Sequence, residues 1–296
     1  MDEHTRLAQR FEDRRPRLRA VAYRMLGSVS DADDAVQEAW LRLDRADADS
    51  VHNLDGWLTT VVARICLNSL RARRSRRETR LESHLPDPIV DVADWIEAEH
   101  DATVADSVGL ALLVMLDTLK PAERLAFVLH DVFAVPFDDI APIVGRSSAA
   151  TRQIASRARR RVHNATPGPE ADLAAQREIV DAFLAASRSG DLDPLIMVLD
   201  RDVVVRTDWG STGRRASAVT RGARAVAEQA VAFSRRVAEY ARPVLVNGSV
   251  GIMAWTPEGQ PYSVMAFSIV RDRIVAIDIL ADPVRLDRLN LPPFEP

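Results

Sequence analysis

Residues 136–162 read PFDDIAPIVGRSSAATRQIASRARRRV, and side chains of these types could grip a phosphate backbone and read base edges. Arg152, Arg157, Arg159, Arg160 and Arg161 recur along its second half, residues 148–162, which holds no acid. Guanidinium groups make paired bonds to phosphate and guanine, and a glutamine such as Gln153 pairs with adenine. Such chemistry needs a helix to present it. The apolar set Phe137, Ile140, Ile143 and Val144 leads to Gly145, which tolerates a tight interhelical turn. Ser147 or Ser148 then supplies an N-cap, because a hydroxyl can accept the orphan amides of the next helix. The spacing predicts a helix-turn-helix in which Ser148, Ala149, Arg152, Gln153, Ser156 and Arg157 face outward, while Ile154, Ala158 and Val162 pack inward. Arg159, Arg160 and Arg161 are placed for phosphate, which adds affinity without sequence information. Pro142 falls just past the first turn of a helix starting near Phe137, where few amide bonds are lost. A solvated basic helix at the end of a bundle is the bland alternative.

A second basic cluster lies upstream. Residues 57–80 read WLTTVVARICLNSLRARRSRRETR, an amphipathic helix (Leu58, Val61, Val62, Ile65, Leu70) that closes in Arg71, Arg73, Arg74, Arg76 and Arg77. Before it comes DADDAVQEAWLRL, with Ser30-Asp31-Ala32-Asp33 as the expected cap. The 296-residue chain has a net charge of −4, which hides both basic footprints. Residues 82–119 hold Glu82, Asp87, Asp91, Asp94, Glu97, Glu99, Asp101, Asp106 and Asp117 and neither Lys nor Arg. An acidic segment between two basic modules cancels them in the average. Cys66 is alone, so neither an internal disulfide nor a cysteine-based zinc site is expected, and no cofactor is implied. The first residues, MDEHTRLAQRFED, lack a signal-peptide core, and the apolar run 109–116 is too short to span a bilayer. A soluble, cytoplasmic chain is expected.

The period-3.6 pattern over residues 6–80 breaks at His84-Leu85-Pro86-Asp87-Pro88, with a helix expected again near 92–100. A second helical module follows and ends at Thr166-Pro167-Gly168-Pro169. Beyond that point the texture changes. Helices are expected at 173–187, 194–199 and 223–234, with a strand at 203–207. Further strands at 237–246, 249–255, 262–270 and 274–280 are punctuated by Asn247-Gly248, Thr256-Pro257-Glu258-Gly259 and Asp272-Arg273. Asn-Gly between apolar runs is a strong hairpin cue. Helices, a strand, a helix and an antiparallel meander make an α+β unit.

An acidic-polar helix, a short polar loop, a Trp-led basic helix, an acidic linker and a basic helix-turn-helix, with DADDAVQEAWLR and ASRARRR, resemble the extracytoplasmic-function (ECF) sigma factors of bacterial RNA polymerase. The later segment, with GDLDPLIMVLDRDVVV near its start, resembles the SnoaL-like cone that some of these proteins carry. The resemblance implies a multidomain chain: two all-α modules, sigma region 2 (1–80) and sigma region 4 (108–165), around an acidic linker (81–107), then an α+β SnoaL-like cone (170–296). It implies an alternative sigma factor that binds core RNA polymerase and promoter DNA, duplex at −35 and single-stranded at −10, regulated in cis by its C-terminal domain. Ser148, Ala149, Arg152, Gln153, Ser156, Arg157 and Arg160 match the −35 reader. The −10 job falls to Asn53, Arg64, Asn68, Arg71, Arg73 and Arg74, a basic track for separated DNA. Trp57 is either a stacking platform or core. Asp31, Asp34, Gln37, Glu38 and Leu41 match the helix that docks on the polymerase clamp, a polar surface with one apolar anchor. Related chains show WLPEP-, DGGG- and NPDK-like motifs. Here the counterparts are altered: His84–Pro88, Asp208-Trp209-Gly210-Ser211-Thr212-Gly213-Arg214 and Ala281-Asp282-Pro283-Val284-Arg285. Enzymes with this cone place acid–base pairs in its pocket, for which Asp208, Glu228, Asp278 and Asp282 are the candidates here, since every His lies at or before His163. A one-component ligand-sensing regulator and an enzyme with a DNA-binding module are the alternatives. The regulator leaves the Asp31–Leu41 helix and the second basic cluster without a job.

Overall fold

In a computed structural model, residues 3–45, 53–77, 85–91, 109–165, 172–210 and 216–294 are described. The chain divides into two units, Met1–Leu81 with Met115–Ala165, and Glu82–Val114 with Thr166–Pro296. The first is helical. Helices α1 (Glu3–Glu12), α2 (Arg15–Leu26), α3 (Val29–Asp44) and α4 (Leu54–Arg77) bury Phe11, Leu18, Met25, Leu43, Leu58 and Leu67. Burying each such side chain is worth about 1.5–3 kcal/mol, which is what selects the amphipathic faces. The cap of α3 is Ser28, not Ser30: its Oγ accepts the Asp31 amide at 3.4 Å. Cys66 is fully buried in α4, and that burial pushes its thiol up to about 12, with Arg124 pulling the other way.

Helix α5 (Leu110–Asp117) crosses the boundary between the units. After it come α6 (Pro121–Phe127), a π-helical turn at Val128–Val132, α7 (Phe137–Val144) and α8 (Ser148–Ala165). Arg124 of α6 is 1% exposed and ties three elements together. Its Nε donates to the Arg24 carbonyl at 3.1 Å and its Nη1 to Asp117 at 2.8 Å. A buried guanidinium is tolerated only when paired and hydrogen-bonded in this way.

The second unit is α+β. Its elements are β1 (Val90–Asp91), α9 (Leu173–Ser189), α10 (Leu192–Val198), β2 (Leu199–Asp208), β3 (Ala218–Arg221) and α11 (Ala223–Val237). They continue with β4 (Ala241–Val246), β5 (Ser249–Trp255), β6 (Pro261–Val270), β7 (Arg273–Leu280) and α12 (Pro283–Leu286). The described strands form one sheet in the order β1-β4-β5-β6-β7-β2-β3, with β2 and β7 parallel and every other pair antiparallel. Alternate residues, Val203 and Val205 on β2 and Ile277 and Ile279 on β7, join Val180, Phe183 and Val226 of the helices in the core.

Some sequence expectations shift here. The strand expected at 237–246 starts only at Ala241, because α11 runs on to the buried Val237 and a 3₁₀ turn follows. The last hairpin turns on Arg271-Asp272, both at positive φ, one residue earlier than expected. β1, β3 and α12 were not foreseen. The helix expected near 92–100 lies outside the described residues. No described helix is long and apolar enough to cross a membrane.

Candidate nucleic-acid interface

Helix α8 starts where turn chemistry requires. Gly145 adopts φ 74°, ends α7 and donates its amide to Ala141 at 3.0 Å. Ser147 is the cap, its Oγ accepting the Ala150 amide at 3.3 Å. Ser148 instead donates its hydroxyl to Asp138 at 2.5 Å and is half-buried. Thr151, Ala155, Ala158 and Val162 are buried, with Ile154 half-buried, so the inward face is set by small residues as well as the expected apolar ones. Ala149, Arg152, Gln153, Ser156, Arg157 and Arg160 are exposed along the opposite face. The spacing i, i+3, i+4, i+7, i+8, i+11 keeps them on one stripe. Arg152 lies over the Phe137 ring at 5.4 Å. The three arginines that close the helix separate here. Arg159 pairs with Asp131, and Arg161 donates to Glu123 at 3.1 Å and to the Thr118 carbonyl at 2.9 Å. Arg160 has no such partner among the described residues, so of these three it alone presents an uncommitted guanidinium.

On α4, Arg64, Asn68, Arg71 and Arg74 are exposed. Arg73 is placed differently: it is half-buried, donates to the Leu26 carbonyl at 3.0 Å and forms an ion pair with Asp31. Two residues expected to face different partners, DNA for Arg73 and polymerase for Asp31, therefore hold α4 to α3. Asn53 caps α4 through its Oδ1, which accepts the Gly56 amide at 3.0 Å. Trp57 is half-buried, and part of the loop before it, residues 46–52, lies outside the described residues. On α3, Asp34, Gln37, Glu38 and Leu41 form an exposed ridge, with Leu41 43% exposed and Glu38 paired to Arg42 along the helix.

Within the second unit, residues 85–91 are held to the sheet domain by a network centred on Arg285. Arg285 Nη1 donates to Asp208 at 2.8 Å, Nη2 to the Leu85 carbonyl at 2.7 Å and Nε to Asp87 at 3.0 Å. Asp208 also accepts the Leu85 amide at 2.9 Å and the Gly210 amide at 2.9 Å. Further along, Ile89 donates its amide to the Asn247 side chain at 3.1 Å and accepts the Asn247 amide at 2.8 Å. β1 then pairs antiparallel with β4, Val90 opposite Val246. The side chain of Asp208 is 2% exposed and those of Arg285 and Asp87 12% and 13%. The three altered motifs of the sequence thus meet at one point.

The candidate acids are engaged elsewhere. Asp208 holds Arg285, and Asp282 caps α12 by accepting the Val284 amide at 3.0 Å. Glu228 pairs with Arg224 on the surface. Asp278 takes Arg206 through two bonds of 2.5 and 2.8 Å. Burial opposes the Arg206 charge, but the bonds and attraction of Asp278 outweigh it and hold that guanidinium above its usual range. A cavity of about 60 Å³ beneath α9 and α11 is lined by apolar residues with Thr207, Gln229 and two serines, and no carboxylate is among its described lining.

Residues 10–76 match the Sigma-70 region 2 family, and residues 109–162 match Sigma-70, region 4. The ECF RNA polymerase sigma factor SigJ of Mycobacterium tuberculosis is 38% identical over 293 residues, covering 92% of this chain and 91% of the relative. The chain belongs to the ECF sigma factors of RNA polymerase. A second relative, the probable ECF RNA polymerase sigma factor SigI of the same organism, is 33% identical over 299 residues and 98% of each chain. The crystal structure of M. tuberculosis SigJ superposes with a TM-score of 0.75 at 34% identity, covering 96% of this chain and all of that one. This is therefore an alternative sigma factor, a protein that joins RNA polymerase and directs it to promoter DNA.

Sequence reasoning missed the buried role of Arg124 altogether and the contacts, though not the motifs, of Asn247 and Arg285. The Asn-Gly signal located Asn247, but only as a turn. The partners of Arg285 lie 198 and 77 residues away in the chain, which no local pattern encodes.

Proposed function

We propose that the C-terminal domain regulates this sigma factor in cis by grasping the linker between its two promoter-binding modules. The observation that carries this reading is Arg285, which bridges Asp208 of the sheet domain to Asp87 and the Leu85 carbonyl of the linker. The linker sets the reach between region 2 and region 4. A domain that binds it biases the chain between conformers through its differential contacts with each. In this reading the division is 1–80 for region 2, 81–107 for the linker, 108–165 for region 4 and 170–296 for the regulatory cone.

The exposed stripe Ala149, Arg152, Gln153, Ser156, Arg157 and Arg160, with Ser148 at its start, reads the −35 duplex. Arg64, Asn68, Arg71 and Arg74 track the −10 strand, with Asn53 and Arg73 shaping the helix that carries them. The ridge Asp34, Gln37, Glu38 and Leu41 docks on core polymerase, with Asp31 at its base. The cone acts without catalysis, because its four candidate acids are tied up in ion pairs or a cap. The protein works in the cytoplasm, where core polymerase is found.

In vitro transcription with core polymerase tests the reading. The full chain, an Arg285→Met variant and a truncation after residue 166 are compared on one promoter. Regulation in cis requires that both variants change promoter output in at least one direction while core association persists. Unchanged output from both would make the cone a passenger.

A further inference from the structure

Within the first unit a cleft of about 320 Å³ opens between the end of α4 and the corner joining α5 to α6. Five cations line it: Arg73 and Arg74 from α4, Lys120 at the corner, Arg124 from α6 and Arg161 from α8. Three of them hold carboxylates. Arg73 pairs with Asp31, Arg124 with Asp117 at 2.8 Å, and Arg161 with Glu123 at 3.1 Å. Arg74 and Lys120 are exposed at the rim and have no carboxylate partner among the described residues. Among the described residues, five cations against three carboxylates leave two positive charges in excess around one cavity. Like charges gathered about a hollow repel one another unless an anion enters, and part-burial keeps salt from screening them fully.

We propose that this cleft binds a small polyphosphate anion of the di- or triphosphate class. The charge excess suits a ligand carrying at least two negative charges better than a single carboxylate or chloride. The volume falls at the lower end of small-molecule sites. Arginine offers forked donors that match phosphate oxygens, and Lys120, the sole lysine of the chain, adds a compact point charge. No aromatic ring is among the described lining residues, so recognition rests on the phosphates, whether inorganic or carried by a nucleotide. A bound anion would bridge α4 of region 2 to α6 and α8 of region 4, fastening together the two modules that must engage separate promoter elements.

The test is calorimetric titration of the full chain with inorganic pyrophosphate and, separately, with ATP, at constant ionic strength and with sulfate as the control. Saturable one-site binding is expected for both phosphates, at similar affinity, with a rise in melting temperature that sulfate does not reproduce. Lys120→Ala should weaken it at least tenfold, and Lys120→Ala with Arg74→Ala should abolish it. Both residues are exposed, so the melting temperature without ligand should not move. Binding of ATP alone would move recognition to the nucleoside and overturn the phosphate assignment. So would an affinity that Lys120→Ala leaves unchanged, or a response matched by sulfate.

Discussion

Arg285 and Arg160 are the same side chain in opposite surroundings, and the contrast separates the two halves of this sigma factor. Arg285 is nearly buried, with Asp208, Asp87 and the Leu85 carbonyl occupying its donors. Arg160 stands exposed on α8 with no ion-pair partner among the described residues. A guanidinium with satisfied donors stabilises one conformation, whereas one facing water is available to a phosphate. The same split recurs in region 2, where Arg73 is held by Asp31 while Arg64 and Arg71 face out. Arginine content alone therefore overstates the DNA-binding surface. Pairing in the free protein leaves fewer guanidiniums open to a phosphate than the arginine count implies.

The contrast breaks hardest at the linker. Arg285→Met should remove the cation that Asp208 and Asp87 share, at a cost of about 3–5 kcal/mol to the attachment of residues 85–91. Hydrogen exchange at the Leu85 and Ile89 amides should rise sharply. Adding Asp208→Asn should recover part of the loss, because the buried charge then disappears with its partner. Amides as protected as in the parent chain would show that the linker is held by β1 pairing instead.

Next in size is base reading. Arg157→Ala should weaken promoter binding by about 1–3 kcal/mol and relax preference at one −35 position, with folding stability unchanged. Binding titrations across a set of −35 variants measure this. A uniform loss over all sequences would reassign Arg157 to phosphate.

How far such distinctions could be read from the sequence depends on the range of the interaction. The phase of α8 was legible because Ala158 and Val162 recur at helical spacing and Gly145 punctuates the turn. The hairpin at Asn247-Gly248 was legible for the same local reason. β1 and β3 were not, because two or four residues become strands only by pairing with β4 or β2. The pairing of Arg73 with Asp31 spans 42 residues, so a residue that looked like part of a basic track proves to hold two helices together. The linker motif was visible as a departure from pattern, but its partners were set by the folded sheet.

A smaller effect sharpens the comparison within region 2. Asn53→Ala removes the cap of α4 and should cost about 1 kcal/mol of stability. Asn53→Ser restores a capping oxygen with a shorter side chain. Recovery of both stability and transcription with Ser means that Asn53 acts through the helix start. Recovery of stability alone means that it also touches the −10 strand.

The smallest expected change in stability is at Arg160. Exposed and outside any ion pair among the described residues, it should tolerate Arg160→Ala with folding stability within about 0.5 kcal/mol of the parent. Its loss should appear instead in the salt dependence of promoter binding. Removing one phosphate contact lowers the slope of log affinity against log salt by about one, evenly across sequences. Arg161, one residue on, provides the internal control. Its side chain holds Glu123 and the Thr118 carbonyl, so Arg161→Ala should change stability more than salt slope. Two neighbouring arginines on one helix, separated only by what their donors already touch, should then give opposite signatures in the same pair of measurements. If both variants shift the salt slope equally and neither shifts stability, the ion pair of Arg161 opens on binding, and pairing in the free protein does not exclude a residue from the DNA surface.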